Sequence, residues 1–342
     1  MELNEFKTEL KSGALSGVYI LAGEEDYLIR YYMRALREAV GIDPAFAVFN
    51  NPRYDGCEVD FYAISEDMKS PPMMGDYKLI EWRHGDFSSM KDAELDRLEE
   101  LITESRDYPY SVIAFTAISD GIDFGTPKRP SAFVKRFGAK ANLVCFEKSG
   151  ENQLYAWLKK HFEVHGITVT LDTVKALVFR SGHSMDTLAN EVEKLSALAL
   201  SRGKSMVTPE DVEEVASSTP ECDTFALSNA ILERNKQNAF LALEEMKLRR
   251  VDPMMIMGMI SKSFDELCTV ALLLDEGRGL DAINEILKMN EYRLKLTVAA
   301  AKRYGAKRLT EILAALTETD TKSKYGGVTG YTAVELFIVQ NL

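Results

Sequence analysis

The chain has 342 residues, and that length predicts two or three domains. A hydrophobic content of 46% with 27% charged residues is typical of a globular protein that folds around its own cores. The net charge of −12 disfavours long-range, nonspecific attraction to nucleic acid, so any DNA contact is expected to be local.

The first 148 residues alternate between strand-like and helix-like segments. The strand-like runs are GVYILA, AFAVFN, YKLIEWR, YSVIAFTAI and NLVCFEK. The helical stretches between them begin near Asp26, Glu58, Met90 and Pro130. Such alternation predicts an α/β domain, with a parallel sheet covered by helices on both faces. The loop SDGIDFGTPKRP is rich in Gly, Pro and Asp and is predicted to be a surface connection without an element of its own.

The connection after the first strand is where an ATPase of the P-loop kind would bind phosphate. Those proteins carry GxxxxGK[ST] there, and its backbone N–H groups and Lys hold the phosphates. In this chain Gly23 is followed by Glu24, Glu25 and Asp26. The carboxylates suit the N-terminus of a helix, but they would repel a triphosphate. The sequence therefore predicts a degenerate nucleotide site.

An unusual segment, MKSPPMMGDYKLIEWRH, precedes and includes the third strand-like run. Pro71 and Pro72 are expected to end the preceding helix, and Gly75 permits a tight turn. Met73 and Met74 lie between them, so two large flexible apolar side chains are placed on a short turn. They could form a contact for another protein or pack into the edge of the sheet, and the residues alone leave both open.

From residue 149 onward the apolar residues recur at helical spacing. Residues 149–216 are predicted to form a small helical domain without strands, and residues 217–342 a third, all-helical block. Helices are predicted in that block at 223–234, 236–249, 253–276, 280–288, 290–304, 306–319 and 331–341. Short polar or Gly-containing connections favour a compact antiparallel bundle.

The sequence gives little indication of a metal site, a redox motif or a membrane-spanning segment. The four cysteines are far apart and form no CxxC pair, which predicts reduced thiols: Cys57, Cys145, Cys222 and Cys268. His161 and His165 share a helix face, but Glu163 is misplaced for a zincin, so ordinary surface histidines are favoured. No metal and no cofactor are predicted. The chain lacks an apolar stretch that could cross a bilayer and a signal-like segment after Met1, which predicts a cytoplasmic protein.

The most basic stretch of the chain is KMNEYRLKLTVAAAKRYGAKR, residues 288–308. Seven of its residues are Lys or Arg, and Glu291 is its single acid. It could contact nucleic acid locally or form a solvated helix face, and the sequence leaves both readings open.

Several segments in their order along the chain resemble a known family. They are VYILAGEEDYLI, SPPMMGDYKLIEWR, MDTLANEVEKLSAL, VTPEDVEEV and LTETDTKSKYG. Together they are similar to the bacterial DNA polymerase III delta subunit, and the resemblance spans essentially the whole chain. It implies an AAA+-like architecture: an α/β domain over 1–148 that lacks a functional P-loop, a small lid-like helical domain over 149–216, and a C-terminal helical collar over 217–342.

The resemblance also implies a role in DNA replication. A delta subunit binds the beta sliding clamp, favours its opened form and helps load it on primed DNA, together with the clamp-loader ATPase (tau/gamma) and delta-prime subunits. It belongs to a DNA-directed DNA polymerase assembly without catalysis of its own. The family's clamp contact, a pair of apolar residues at a helix end before a strand, falls on Met73 and Met74. The alternative from another class is a degenerate P-loop-like kinase or ATPase.

A second expected contact lies in LTETDTKSKYGG, which is predicted to join the last two helices. Tyr325 follows Lys322 and Lys324 and precedes Gly326 and Gly327, so an aromatic ring is placed on a basic turn. Aromatic faces stack on unpaired bases without demanding a particular sequence. The resemblance implies that Tyr325 meets the template strand at the primer–template junction. The alternative is a helix-capping turn whose Tyr packs on the collar.

Overall fold

The computed structural model describes residues 1–325 and 330–341. The chain divides into two compact units, Met1–Gly150 and Glu151–Leu342. The predicted end of the α/β domain at residue 148 lies close to this division. The predicted further division of the second unit, between residues 216 and 217, stays a prediction.

The first unit is built on a parallel sheet. Its strands are β1 (Gly17–Gly23), β2 (Arg53–Asp55), β3 (Lys78–Gly85), β4 (Ser111–Ala117), β5 (Gly125–Thr126), β6 (Arg129–Pro130) and β7 (Asn142–Phe146). Five of these strands form the sheet in the order β2-β3-β4-β1-β7, and all its neighbours are parallel. In the centre, Ile20 of β1 lies opposite Phe115 on one side and Leu143 on the other. Burial on both faces explains why these strands are nearly continuous apolar runs.

Helices cover the two faces of this sheet. They are α1 (Leu3–Ser12), α2 (Asp26–Val40), α3 (Ala47–Asn50), α4 (Phe61–Lys69), α5 (Asp92–Glu104) and α6 (Ala132–Phe137), with 3₁₀ turns at Pro44–Phe46 and Ser105–Asp107. Alternate residues of β1 enter opposite cores: Ile20 packs on the side of α4 and α5, and Tyr19 and Leu21 pack on the side of α1 and α2. The predicted α/β architecture is thereby confirmed, with helices on both faces.

The strand predicted at AFAVFN is wrong, because this run is helical. Pro44 begins a 3₁₀ turn, and the Asp43 side chain caps it by accepting a hydrogen bond from the Ala45 N–H at 2.8 Å. The run continues into α3, where Val48 is 84% exposed, so its apolar residues do not all join the core. The place beside β3 is taken instead by the short edge strand β2.

The loop SDGIDFGTPKRP contains regular structure that the sequence did not predict. Strands β5 and β6 pair as a small antiparallel hairpin. The Thr126 hydroxyl accepts a hydrogen bond from the Arg129 N–H at 3.1 Å and so closes the turn. Gly125 has φ of 69°, and a Cβ there would lie 2.4 Å from the Arg129 carbonyl oxygen. This close approach explains the need for glycine at that position.

In its described residues, 151–325 and 330–341, the second unit is helical apart from two short strands. Its elements are α7 (Glu151–Val164), β8 (Thr168–Val169), α8 (Leu171–Ser181), α9 (Met185–Ser201), β9 (Met206–Val207), α10 (Pro209–Val215), α11 (Pro220–Leu232), α12 (Lys236–Leu248), α13 (Pro253–Asp275), α14 (Leu280–Leu287), α15 (Glu291–Lys324) and α16 (Tyr331–Asn341). Strands β8 and β9 pair in parallel, which corrects the expectation of a domain without strands. Each has only two residues, too few to give an alternating pattern.

The helices predicted after residue 217 correspond to α11 to α16, with one rearrangement. Helix α15 spans the two helices predicted at 290–304 and 306–319, and Gly305 between them has non-helical angles, φ 72° and ψ 160°. A left-handed φ suits glycine, so the predicted break lies at that residue. The helix then continues to Lys324, beyond the predicted end at 319. Ion pairs one turn apart support this extension, Lys322 with Glu318 and Lys324 with Asp320, each at 2.6 Å.

Candidate functional site

The turn between α4 and β3 exposes the two methionines that the sequence singles out. Met73 is 46% exposed and Met74 is 81% exposed. Met74 has a φ of 55°, an uncommon conformation for a residue with a long side chain. The pair follows the end of α4 at Lys69, so it lies on a turn and not on the helix end that the resemblance implies. The alternative, in which both side chains pack into the sheet edge, does not fit these exposures.

A buried asparagine holds this turn by its backbone. Asn50, at the end of α3, is 3% exposed. Its Nδ2 donates to the Met73 carbonyl oxygen at 2.8 Å, and its Oδ1 accepts from the Met73 N–H at 2.7 Å. The two bonds fix the peptide groups on both sides of Met73, although the residues are far apart in sequence. A Cβ on Gly75 would lie 3.4 Å from the same Nδ2, so the turn passes close to this anchor.

The two ends of the turn are also held by polar contacts. The Lys78 ammonium is buried and donates to the Ser70 hydroxyl and, at 3.0 Å, to the Asp67 carbonyl oxygen. Burial lowers the pKa of Lys78, and the nearby Asp67 carboxylate opposes that effect. The Ser111 hydroxyl donates to the Met68 carbonyl oxygen at 2.9 Å. The turn therefore starts and ends at fixed points, and Asn50 holds its backbone between them at Met73.

The asparagine next to this anchor is part of a second buried network. Asn51 donates from Nδ2 to the Leu79 carbonyl oxygen and to the Glu81 carboxylate, both at 2.8 Å. Glu81 is fully buried in β3 and accepts two hydrogen bonds from Arg37 of α2, at 2.7 and 2.6 Å. Burial alone would raise the pKa of Glu81, but the bonds from Arg37 and Asn51 outweigh it and lower that pKa. Together the two asparagines join the turn, the sheet and α2.

Sequence reasoning missed Asn50 and Asn51 because it assigned that run to a strand. The pair stands directly before Pro52, and Asn-Asn-Pro is typical of a turn. That signal could have corrected the assignment, but it could not have shown which peptide Asn50 holds.

The connection between β1 and α2 has a geometry unlike a phosphate-binding loop. Gly23 has φ of 139°, and a Cβ there would lie 2.3 Å from the Phe146 carbonyl oxygen at the end of β7. The Glu25 N–H donates to that same oxygen at 3.1 Å. In a P-loop, backbone N–H groups at this place point at the phosphates. Here the Glu25 N–H is already bonded to the end of β7.

The cavity beside this connection is acidic. It has a volume of about 320 Å³, and four carboxylates line it: Glu24, Asp120, Asp123 and Glu147. Burial, with added repulsion from Glu147 and Glu24, raises the pKa of the neighbouring Cys145 thiol to about 11. Lys148 lies 3.7 Å from Glu24, but this exposed contact offsets only part of the charge. A triphosphate would meet repulsion here.

Tyr325 lies at the C-terminal end of α15. Its ring is 88% exposed, and its N–H donates to the Thr321 carbonyl oxygen at 3.1 Å. Lys322 and Lys324 are on the last turn of the helix, and each pairs with an acid of the same helix. The predicted loop from Leu316 is therefore mostly helix, and the two lysines are partly neutralised. Gly326 and Gly327, which complete the predicted motif, lie outside the described residues.

Partners compensate much of the basic run at 288–308. Arg293 pairs with Glu266 at 2.6 Å, and Lys295 pairs with Glu291 at 2.8 Å. Lys175 of α8 binds the other oxygen of Glu291 at 2.6 Å. These hydrogen bonds, from Lys175 first and Lys295 second, lower the pKa of Glu291 to about 2. At its start, then, the run contributes to packing within the second unit, which favours the structural interpretation there.

The two histidines of HFEVH lie close together without a metal-binding cluster. The ring centroids of His161 and His165 are 5.9 Å apart, and Trp157 stacks on His161. Burial, together with the neighbouring His165, lowers the pKa of His161. Across residues 1–325 and 330–341, no group of three or more His, Cys, Asp or Glu side chains could hold a metal ion. The same ranges contain no helix long and apolar enough to cross a membrane.

The fold and these sites define a class of protein. A five-stranded parallel sheet followed by a helical unit is an AAA+-like arrangement, and in this chain Glu24, Glu25 and Asp26 stand in the connection after β1. Two family models match the chain: "DNA polymerase III, delta subunit" over residues 19–143 and "DNA polymerase III delta subunit, C-terminal domain" over residues 221–341. Together they cover more than half of it. The chain belongs to the DNA polymerase III delta subunit family.

Individual relatives agree with this assignment. The chain is 22% identical to DNA polymerase III subunit delta of Bacillus subtilis, covering 97% of this chain and 95% of the relative. It is 24% identical to the probable DNA polymerase III subunit delta of Aquifex aeolicus, covering 90% and 86%. The solved structure of the Bacillus subtilis DNA clamp loader delta protein matches it with a TM-score of 0.56 and 22% identity, over 99% of this chain and 98% of the other. That likeness establishes a shared fold.

Proposed function

We propose that this delta subunit binds the beta sliding clamp through Met73 and Met74, favours the opened form of the ring and helps load it on primed DNA. The observation that carries the proposal is the turn between α4 and β3, where two exposed methionines stand on a backbone that buried Asn50 fixes. The partners would be the clamp, the clamp-loader ATPase (tau/gamma) subunits and the delta-prime subunit.

The chemistry of the turn suits an apolar pocket on another protein. Burial of exposed methionine side chains stabilises a complex, by about 1.5–3 kcal/mol for each side chain that becomes fully buried. Methionine is flexible and polarisable, so it adapts to an irregular pocket. Because the Asn50 bonds hold the backbone in place before binding, less conformational entropy is lost on association. The turn thus combines a fixed main chain with adaptable side chains.

A bound subunit can favour an open ring only if it binds that state more tightly than the closed one. The connection after β1 is unsuited to binding ATP, since carboxylates line the cavity beside Gly23 and the Glu25 N–H is already bonded. We infer that nucleotide binding by neighbouring ATPase subunits controls access to the turn that carries Met73 and Met74, here called the methionine turn. The delta subunit would then supply binding energy and not catalysis.

The test is a measurement of clamp affinity for the variant Met73→Ala with Met74→Ala. A matched control is Met254→Ala with Met255→Ala, because these two methionines are also exposed but lie at the start of α13 in the second unit. Losing two buried side chains should weaken clamp binding on the order of a hundredfold, whereas the control should bind like the parent. If the Met73 and Met74 double variant binds the clamp as tightly as the parent, the contact is elsewhere.

The alternative enzyme is tested by photo-crosslinking with an azido analogue of ATP, followed by mapping of the labelled peptide. We expect no ATP turnover by the isolated chain and no label on residues 23–26, for the electrostatic reason given above. Saturable labelling of that segment, with hydrolysis, would favour a nucleotide-using enzyme instead.

A further inference from the structure

A second cavity in the first unit has the opposite charge. It has a volume of about 390 Å³ and opens between α2 and the carboxyl ends of β3 and β4. Its wall includes four arginines and a histidine: Arg30, Arg34, Arg37, Arg83 and His84. Asp26 is the one carboxylate in that wall. This concentration of positive charge stands out in a protein whose net charge is −12.

The arginines reach this cavity from two elements. Arg30, Arg34 and Arg37 follow one another at spacings of four and three residues, which places them on one face of α2. Arg83 and His84 come from the end of β3, where the pairing with β4 shifts register between Trp82 and Gly85. The hydroxyls of Thr116 and Ser119, at the end of β4 and just beyond it, also line the wall and can donate hydrogen bonds.

Two acids outside the wall pair with three of these side chains. Glu81 pairs with Arg37 at 2.6 Å, and Asp55 lies 3.4 Å from Arg83 and 2.8 Å from His84. The Arg83 Nε atom is nevertheless buried without a hydrogen-bond partner among the described atoms. A buried donor of this kind is costly unless something binds it. Arg34, which also lines the wall, is exposed. The wall therefore offers donors that an anion could satisfy.

We propose that this cavity binds a phosphate group. Guanidinium groups match the geometry of phosphate oxygens with paired hydrogen bonds, which an ammonium does not do. In open α/β folds, ligands bind at the carboxyl ends of the strands, which is where this cavity lies. The acidic cavity near β1 and β7 lies at the carboxyl ends of other strands of the same sheet, so neighbouring parts of one sheet edge carry opposite charge.

Two sources could supply that phosphate group, a small phosphorylated molecule or the phosphate of a DNA strand. Inorganic pyrophosphate is the probe for the first source, titrated into the full chain by calorimetry. An oligonucleotide with a 5′-phosphate is the probe for the second, followed by fluorescence anisotropy. Competition between the two probes tells whether they share the cavity. Saturable binding of either probe supports a phosphate site and names its source.

The decisive variant is Arg34→Gln with Arg83→Gln. Each lost guanidinium should weaken binding roughly tenfold, because charge-assisted hydrogen bonds are removed. Arg34→Gln alone repeats the test without touching the contact between Arg83 and Asp55. The matched control is Arg97→Gln with Arg106→Gln, which removes the same charge from exposed arginines outside the cavity wall.

The proposal fails if the parent chain binds neither pyrophosphate nor the phosphorylated strand. It fails equally if the control variant loses as much affinity as the cavity variant, since the binding would then follow net charge only. Retained affinity in both the single and the double cavity variants would also place the phosphate elsewhere.

Discussion

The two surfaces expected to contact partners are built differently, although their exposures are alike. Met74 is 81% exposed and Tyr325 is 88% exposed. The methionine turn is held from below by the buried side chain of Asn50, which bonds both sides of Met73. Tyr325 follows a helix whose last lysines are paired with acids of their own turn, and those pairs are exposed. Exposure therefore identifies both as candidate contacts, but among the described residues only the methionine turn has a buried anchor.

This difference predicts two modes of binding. A fixed turn loses little freedom on association, so mutations beneath it should weaken binding even when the contacting side chains are intact. A ring at a helix end can adjust to its partner, so its contribution should depend mainly on the ring itself. The following experiments separate these modes, beginning with the one that removes a whole unit.

The largest effect is expected from cutting the chain after Gly150. The fragment 1–150 contains the sheet and the methionine turn, so it should bind the clamp like the full chain. It lacks the helical unit that we expect to assemble the clamp loader, so it should not join the ATPase and delta-prime subunits at all. Size-exclusion chromatography with each partner measures both outcomes.

The position of the cut follows from contacts inside the second unit. Lys175 of α8 binds Glu291 of α15 at 2.6 Å, and α8 also packs against α11. A cut near residue 216 would divide this unit. The complementary fragment, 151–342, is the control and should assemble without binding the clamp. Assembly by fragment 1–150 would contradict the assigned role of the helical unit.

The sequence predicted the framework of the fold well and its polar anchors poorly. Buried strands such as β1 and β4 are long apolar runs, so their composition identifies them. Helix α3 was missed because a short apolar run has no clear period, and the choice depends on the Asp43 cap and on competition from β2. The two-residue strands are invisible for the same reason.

The candidate site shows the same limit. Met73 and Met74 could be singled out because Pro71, Pro72 and Gly75 mark a turn around them. The anchor could not be predicted, because the bonds between Asn50 and Met73 join residues 23 positions apart and depend on the completed fold. Local sequence signals describe turns, but the partners of a buried side chain are set by tertiary packing.

The second prediction concerns the network beneath the turn. Glu81→Gln should lower the free energy of unfolding of the first unit by roughly 2–3 kcal/mol at neutral pH, because Arg37 and Asn51 lose a fully buried charged acceptor. The lowered pKa of Glu81 sets the sign of the pH effect. The contribution of the Glu81 carboxylate to stability is complete above the unfolded-state pKa, about 4.3. It is lost as the pH falls through the pKa of Glu81 in the folded state.

The difference in the free energy of unfolding between the parent and Glu81→Gln should therefore shrink in acid. Trp82 in β3 reports on this unit if urea unfolding is followed by fluorescence in a Trp157→Phe background, since the chain has only two tryptophans. An equal difference between the two proteins from pH 7 down to pH 3 would show that the carboxylate charge is not the cause.

The third prediction tests the anchor directly. Asn50→Ala leaves both methionines in place but frees the backbone of the turn, so clamp affinity should fall about tenfold through the entropy of ordering one or two residues. Stability should fall by about 1–3 kcal/mol, since the N–H and the carbonyl oxygen of Met73 lose their hydrogen-bond partner. Asn4→Ala, at an exposed position of the same unit, is the control. Unchanged clamp affinity in Asn50→Ala would mean that the fixed turn does not matter for binding.

The smallest effect is expected at Tyr325. We expect its exposed side chain, on a helix end with Lys322 and Lys324, to stack on an unpaired base, at roughly 1–3 kcal/mol per base. Because other contacts of the assembled loader also contribute to DNA affinity, Tyr325→Ala should weaken binding to primed DNA only about fivefold. Tyr325→Phe keeps the ring and should bind like the parent, while Tyr62→Ala, an exposed tyrosine of the first unit, is a control for lost aromatic surface. The measurement is junction-DNA affinity of the complete complex at moderate salt, alongside clamp affinity of the free subunit, which should stay unchanged. Equal DNA affinities for Tyr325→Ala and the parent would leave Tyr325 without a role in DNA binding.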